Sequence, residues 1–327
     1  MNKNYAIRLN QFGNEDVLKY MQVDINEPSN HEVVIKHEAI GLNFIDVYFR
    51  SGLYPINLPS GLGCEGAGTI ESIGKDVTDF KVGDRIAYCS PPPLDAYSMY
   101  RTIDASKIVK IPDELSFELA AASMLKGLTV WYLLHETYQV QKNETIVVYA
   151  AAGGVGSILV QWAASLGAKV IGIVSNEQKR QIALANGCEH VIIDSEKALD
   201  EFNEITNHQG VKVVYDSVGQ ATLNASLAML APRGLLVSYG NASGPVDNFS
   251  FSTLAKHGSL YVTRPTLWSY ISNHYDLMRS SSLLFEKILN NAINIEIGQT
   301  YALSNVAQAH HELSNRMTTG SSILLPE

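Results

Sequence analysis

The residues whose types and spacing point most directly to chemistry are Ala151-Ala152-Gly153-Gly154-Val155-Gly156. They follow the short apolar run Thr145-Ile146-Val147-Val148-Tyr149. Beyond them Val155, Ile158, Leu159, Trp162, Ala163 and Leu166 recur at helical spacing. A glycine-rich turn between strand and helix leaves amide N–H groups unpaired at the positive end of the helix dipole, where an anion is stabilised. The missing side chain at Gly153 lets a diphosphate reach the backbone, and Gly156 lets the helix pack close to the strand. Ala151 stands where G-x-G-x-x-G has its first glycine, so the motif is a variant. Its position between strand and helix sets it apart from an ordinary glycine-rich loop. The chemistry implied is the binding of a dinucleotide.

About twenty residues further on, at the end of the second strand, an NAD-binding chain places an acid for the ribose 2′-hydroxyl. Here the residues are Ser175-Asn176, with Lys179 and Arg180 following within one helical turn and Glu177 as the opposing charge. The absent acid and the two bases suit a 2′-phosphate, which predicts NADPH over NADH. Competing chemistries find less support. Cys64, Cys89, Cys188 and nine histidines are scattered, with no close spacing that offers three convergent zinc ligands. His310 and His311 are neighbours on a predicted helix and face different ways, one packed and one solvated. No G-x-S-x-G elbow supports a hydrolase triad.

The elements that must position these residues alternate. Strand Lys169–Val174, a helix over 176–186 stopped at Gly187, and strand Val191-Ile192-Ile193 complete a βαβαβ half-sheet. Strands over Val211–Asp216 and 234–240 flank a helix over 221–230, and 258–263, stopped before Pro265, reads as a sixth strand at a sheet edge. Helices are predicted over 275–291 and 305–317, and the tail 321–326 is predicted to return as a strand to the first domain. The first third differs, with short β-branched runs (Val33-Val34-Ile35, Gly66-Ala67-Gly68-Thr69-Ile70, Arg85-Ile86-Ala87-Tyr88) punctuated by glycine and proline. Its Lys81-Val82-Gly83-Asp84-Arg85 segment reads as a turn with Gly83 at positive φ. The fold class is α/β: a Rossmann doubly wound parallel sheet plus a mostly β domain.

Length agrees, because 327 residues exceed the roughly 250–300 that one hydrophobic core supports. With 46% apolar and 17% charged residues the composition is globular. Acids outnumber bases 33 to 24, and no long run of Lys or Arg occurs, which disfavours nucleic acid or an anionic membrane as a partner. Three cysteines without a C-x-x-C pair suit a reducing compartment, and the expected location is cytoplasmic. Met1-Asn2-Lys3-Asn4-Tyr5-Ala6 lacks the apolar core of a signal peptide. The most apolar stretch, 146–160, is broken by glycines, so no membrane span is predicted.

Six blocks in order resemble the zinc-free NADPH-dependent quinone oxidoreductases of the zeta-crystallin type, within the medium-chain dehydrogenase/reductase superfamily. They are Gly41-Leu42-Asn43-Phe44-Ile45-Asp46 through Ser51-Gly52-Leu53-Tyr54-Pro55, Leu125-Lys126-Gly127-Leu128-Thr129, Ala150 through Gly156, Val214-Tyr215-Asp216-Ser217-Val218-Gly219, Tyr261-Val262-Thr263-Arg264-Pro265 and Gly320-Ser321-Ser322. The resemblance spans nearly the whole chain. It implies a GroES-like catalytic domain over 1–123, a Rossmann NADPH-binding domain over 124–263 and a return to the catalytic domain over 264–327. It also implies that no zinc is held, since Asn43 and Lys126 stand at two ligand positions of the zinc-dependent relatives, leaving Cys64 at a third.

By the same resemblance, Asn43, Tyr48, Tyr54 and Lys126 face the nicotinamide in the cleft between domains and are the candidate catalytic residues. Asn43 and Lys126 also count among the cofactor-binding residues. Ala152, Gly153, Gly154, Val155 and Gly156 carry the diphosphate, Ser175 and Lys179 the 2′-phosphate end, and Ser217, Gly240, Asn241, Arg264 and Arg316 the rest of the groove. Asp194 stands where family members often carry an aromatic residue, which places an acid near the expected phosphate and keeps NADH as the alternative cofactor. The implied activity is hydride transfer from NADPH to a quinone without a metal. Reduction of an enone or alkenal double bond is the neighbouring alternative. A non-catalytic NADPH-binding redox sensor, RNA-binding protein or structural protein is the alternative from another class. A homodimer paired through 258–263 is also implied.

Overall fold

The computed structural model describes residues 3–247 and 249–327. Met1 and Asn2, part of the segment read above for a leader, lie outside the described residues, as does Asn248. The chain forms two compact units. The first comprises Met1–Leu128, Ile271–Asn290 and Ile295–Glu327; the second comprises Thr129–Tyr270 and Asn291–Asn294.

In the first unit the strands are β1 (Asn4–Arg8), β2 (Lys19–Val23), β3 (Glu32–Leu42), β4 (Glu65–Ile73), β5 (Arg85–Cys89), β6 (Tyr100–Asp104) and β7 (Ile108–Lys110). Helix α1 (Phe44–Ser51) follows β3 directly, and α2 (Phe117–Tyr132) closes this stretch and crosses into the second unit. A β1–β2 hairpin stands apart from a seven-stranded sheet whose centre is the long β3, paired antiparallel with β4 and β6. Helix α1 starts at Asn43 and ends where Gly52 turns left-handed at φ 82°. Gly83 has φ 88°, as its turn requires.

The second unit carries β8 (Thr145–Tyr149), α3 (Gly154–Ser165), β9 (Lys169–Val174), α4 (Glu177–Ala185), β10 (His190–Ile193), α5 (Ala198–Ile205), β11 (Val211–Asp216), α6 (Leu223–Ala228), β12 (Leu230–Ser238), α7 (Phe251–Lys256), β13 (Tyr261–Thr263) and α8 (Leu267–Tyr270). The sheet order is β10-β9-β8-β11-β12-β13, every pair parallel. Strand order therefore reverses between β8 and β11, the switch point at which doubly wound sheets bind ligands beyond the strand C-termini. Val147, Ile171, Ile173, Ile192, Phe202, Val214 and Leu236 form its core, as a parallel sheet buried on both faces demands.

After α9 (His274–Leu289), the chain adds β14 (Ile297–Ala302), α10 (Val306–Ser314) and β15 (Ser321–Leu325) to the first unit. Strand β15 pairs antiparallel with β3, aligning Ile323 with Gly41, so the tail returns as its sequence predicts.

Two elements differ from the sequence reading. Helix α6 ends at Ala228 and β12 begins at Leu230, well before Gly234, because the β11–β12 register shifts after Val211 and Arg233 adopts φ 63° to carry the irregularity. Among the described residues, the helical stretch long and apolar enough to cross a bilayer is Phe117–Thr137 rather than 146–160, and 78% of its apolar window is buried inside the protein.

Candidate functional site

In the second unit the turn after β8 is built by close approaches. A Cβ on Gly156 would fall 2.1 Å from the Ala150 carbonyl oxygen and 3.0 Å from Ala151 Cα, so only glycine lets α3 sit against the turn. A Cβ on Gly153 would meet nothing closer than that same oxygen at 3.1 Å, which leaves its outer side open. Ala151 is tolerated at the first glycine position because β9 carries Gly172 opposite it. A Cβ there would lie 2.8 Å from the Ala151 methyl and 2.8 Å from Cys188 Sγ. The left-handed residue is Ala150, at φ 51°. Ala152, Gly153, Gly154 and Val155 are half-buried at the start of α3, a three-turn helix whose first N–H groups have no carbonyl within the helix to bond, and Gly156 is buried. This cradle fits the diphosphate of a dinucleotide.

At the end of β9, Ser175 is exposed, and Asn176 caps α4 by accepting the Lys179 N–H at 2.9 Å. Arg180 lies 3.9 Å from Glu177, so the opposing acid is engaged by Arg180, and Lys179 is the half-buried base beside the helix start. Asp194 is exposed after β10. Ser217 and Gly240 come together: a Cβ on Gly240 would fall 2.3 Å from the Ser217 oxygen, and Asn241 follows in the same loop. Beneath them the buried Asp216 carboxylate accepts from Val218 N–H (2.7 Å), Gly219 N–H (3.2 Å), Thr222 Oγ1 (2.7 Å) and Ser226 Oγ (2.7 Å). The sequence reading gave Asp216 no role; an acid ending a buried strand before a Ser-Val-Gly loop is the signal that could have found it. Arg264 is exposed just after β13.

In the first unit Asn43 (3% exposed) and Lys126 (6% exposed) meet at Glu65, which is fully buried. Asn43 Nδ2–H donates to Glu65 Oε1 at 2.5 Å, Lys126 Nζ lies 3.8 Å from the same oxygen, and the Leu125 N–H donates to Oε2 at 2.5 Å. Among the described residues Lys126 Nζ has no hydrogen-bond acceptor. Burial pushes the Lys126 ammonium down from its ordinary value, opposed by the Glu65 and Asp46 charges; burial pushes the Glu65 carboxyl up, opposed chiefly by Lys126.

Asp46, in the first turn of α1, accepts the Asn43 backbone N–H and the Tyr97 hydroxyl, each at 2.9 Å. Burial lifts its carboxyl to about 7. Behind it Tyr97 OH lies 3.1 Å from His310 Nε2, and Arg50 Nη1 lies 3.3 Å from His310 Nδ1. Burial and the Arg50 charge hold His310 neutral, down at about 3, while its neighbour His311 is exposed. Tyr48 and Tyr54 are half-buried with ring centroids 5.2 Å apart, flanked by Phe44 and Phe49. Arg316 lies beyond α10, exposed and at φ 60°. Glu65 and Asp46 escaped the sequence reading because their partners are long-range or backbone groups. The glycines around Glu65 were the available hint of a tightly enclosed side chain.

A mostly antiparallel unit resembling GroES joined in one chain to a Rossmann unit is the architecture of medium-chain dehydrogenases and reductases. The family model for the alcohol dehydrogenase GroES-like domain matches residues 29–113, and that for zinc-binding dehydrogenases matches residues 154–277. A quinone oxidoreductase of Pseudomonas aeruginosa is 49% identical over 98% of this chain and 99% of its own. A 2-haloacrylate reductase of a Burkholderia species is 40% identical over 98% and 99%. The crystal structure of Escherichia coli quinone oxidoreductase complexed with NADPH superposes with a TM-score of 0.96 at 45% identity, covering 98% of this chain and all of that one. The chain belongs to the quinone oxidoreductase family of the zeta-crystallin type, in the medium-chain dehydrogenase/reductase superfamily.

The name of the second family model implies zinc, and the donors do not fit it. At the positions where zinc-dependent relatives carry ligands, an amide and a buried ammonium stand beside Glu65, and a cation placed there would face Lys126 at close range. Among the described residues, no group of three His, Cys, Asp or Glu side chains gathers to hold a metal. All three cysteines are buried and unpaired, and burial pushes the Cys64 and Cys89 thiols well above their usual range.

Proposed function

We propose that this chain reduces quinones with NADPH and without a metal. The observation that carries this reading is the Lys126 ammonium, buried, paired at a distance with Glu65 and left with unfilled donors. A preorganised, desolvated cation of this kind stabilises an oxygen that gains negative charge during reaction, the part a Lewis acid would otherwise play. When bound, the reduced nicotinamide supplies the hydride. Gly153 opens the backbone to its diphosphate while Gly156 packs α3 against the turn, Lys179 meets the 2′-phosphate, and Ser175, Ser217, Gly240, Asn241, Arg264 and Arg316 take the remainder of the cofactor. Tyr48 and Tyr54 give a flat wall for an aromatic acceptor, and Asn43 and Lys126 meet its carbonyl oxygen. The names of the P. aeruginosa and E. coli relatives support the quinone, and the NADPH in the E. coli structure supports the cofactor.

Reduction of an activated carbon–carbon double bond is the second reading, favoured by the 2-haloacrylate reductase relative. Both substrates place charge on an oxygen, so the same donors serve. Two copies pair through β13, an edge strand that exposes Tyr261 (62%) and Val262 (39%), and pairing would close the open edge. Buried free thiols suit the cytoplasm.

A substrate panel tests the reading. NADPH consumption that depends on 1,4-naphthoquinone and greatly exceeds that with alkenals or 2-haloacrylates supports it; the opposite ranking establishes the double-bond reductase. Tight NADPH binding with turnover of neither replaces both by a non-catalytic sensor.

A further inference from the structure

Glu65 opens β4 and is the point where three elements meet. Asn43 arrives from the end of β3, Leu125 and Lys126 from α2, and each directs nitrogen at the same carboxylate. Room for that carboxylate is provided by Gly41, where a Cβ would fall 2.2 Å from Glu65 Oε1. Both carboxylate oxygens are engaged by this chain, so Glu65 is not itself free to take a substrate. Lys126 is the member left with N–H groups unfilled.

We propose that Glu65 is a positioning residue that fixes the Lys126 ammonium and the Asn43 amide as one donor pair for the acceptor oxygen. This rests on the reading of Lys126 as the group that meets that oxygen. A buried ammonium without a counter-charge loses its proton, and a neutral amine cannot stabilise an oxyanion. The groups facing Lys126 are Glu65 of β4, Asp46 of α1 and Cys89 of β5. Burial raises the Asp46 carboxyl to about 7 and keeps the Cys89 thiol high, and of the two carboxylates only that of Glu65 lies within 4 Å of Nζ, so geometry makes Glu65 the counter-charge of Lys126. That carboxylate is itself held in place, Oε1 by Asn43 and Oε2 by the Leu125 amide, so the charge 3.8 Å from Nζ keeps one position.

The test follows the Lys126 Nζ titration by NMR in the full chain carrying isotope-labelled lysine, without cofactor, the signal being assigned with Lys126→Met. In Glu65→Gln the Lys126 pKa is expected to fall by about one unit or more. The alkaline limb of the kcat profile with 1,4-naphthoquinone is expected to move to lower pH by the same amount, and Glu65→Asp is expected to restore part of both. An unmoved Lys126 titration in Glu65→Gln overturns the proposal. Should that variant fold poorly, Lys126→Met reads the pair from the other side. Glu65 is then expected to be protonated at neutral pH, seen as a protonated carboxyl band in the infrared, and an ionised Glu65 there overturns the proposal. A parent protein that shows the shift yet reduces no quinone refutes the activity and leaves the pair standing. An active parent with an unmoved Lys126 does the reverse.

Discussion

Replacing Gly156 by alanine puts a methyl 2.1 Å from the Ala150 carbonyl oxygen and 2.9 Å from its carbon, both rigid backbone at the β8–α3 turn. Relief requires a shift of about 1 Å, and such overpacking costs about 1–3 kcal/mol or more. Alanine gains up to about 1 kcal/mol in helix propensity, since Gly156 lies inside α3, and this does not cancel the clash. The second unit should therefore melt about 3–10 °C lower. Gly153→Ala is the contrasting change. Its new methyl meets Ala150 O at 3.1 Å and Ala150 Cβ at 3.8 Å, and Gly153 has φ −82°, which alanine adopts freely. Its stability should stay within about 1 kcal/mol of the parent. The methyl nevertheless stands on the open side of the turn, where a diphosphate must touch backbone, so NADPH affinity should fall at least ~10-fold. Differential scanning calorimetry and titration calorimetry with NADPH separate the two effects. Parent-like NADPH binding by Gly153→Ala would refute the cradle, and a parent-like melt for Gly156→Ala would refute the packing argument.

Lys179→Ala should weaken NADPH by roughly 10–100-fold and leave NADH nearly unchanged, the scale of a lost charge-assisted phosphate contact; equal losses measured by fluorescence titration would remove the 2′-phosphate assignment. Asp46 titrates at about 7 when folded against 3.8 for its ordinary value, so the folded state holds the extra proton between these limits and stability declines as pH rises across them. Asp46→Asn removes this penalty. Its advantage over the parent in guanidinium unfolding should grow by up to about 1.4 kcal/mol per pH unit between pH 5 and 7, then level off, whereas parallel profiles would refute a protonated Asp46. In the proposed dimer, Tyr261→Lys would place like charges on two β13 edges facing each other and should shift sedimentation from dimer to monomer; an unchanged mass would move the proposed interface elsewhere.

The dinucleotide unit was legible from sequence because its information is local. Strand, glycine turn and helix at β8–α3 lie in consecutive residues, and β-branched runs mark β9, β10 and β11. Even the variant first glycine has a visible cause once Gly172 of β9 is seen against the Ala151 methyl, a close approach across the fold that no local pattern exposes. Helix α2 was hard to read for the opposite reason. It is apolar on nearly all sides, so it carries little helical periodicity. Asn43 and Lys126 could be singled out only by resemblance. What joins them is Glu65, 22 residues from the first and 61 from the second, and a contact of that separation leaves no trace in spacing. The Asp46–Tyr97–His310 line is likewise made by the return of α10 to the first unit.

The central claim is that a buried ammonium does the work of a metal at the acceptor oxygen. Turnover of 1,4-naphthoquinone at saturating NADPH, with a metal chelator present, compared between the parent and Lys126→Met, tests it most directly. The parent is expected to turn over with the chelator present as without it, and the variant to lose roughly 100-fold or more in kcat. A Lys126→Met enzyme that turns over as fast as the parent, or a parent silenced by the chelator, would contradict it.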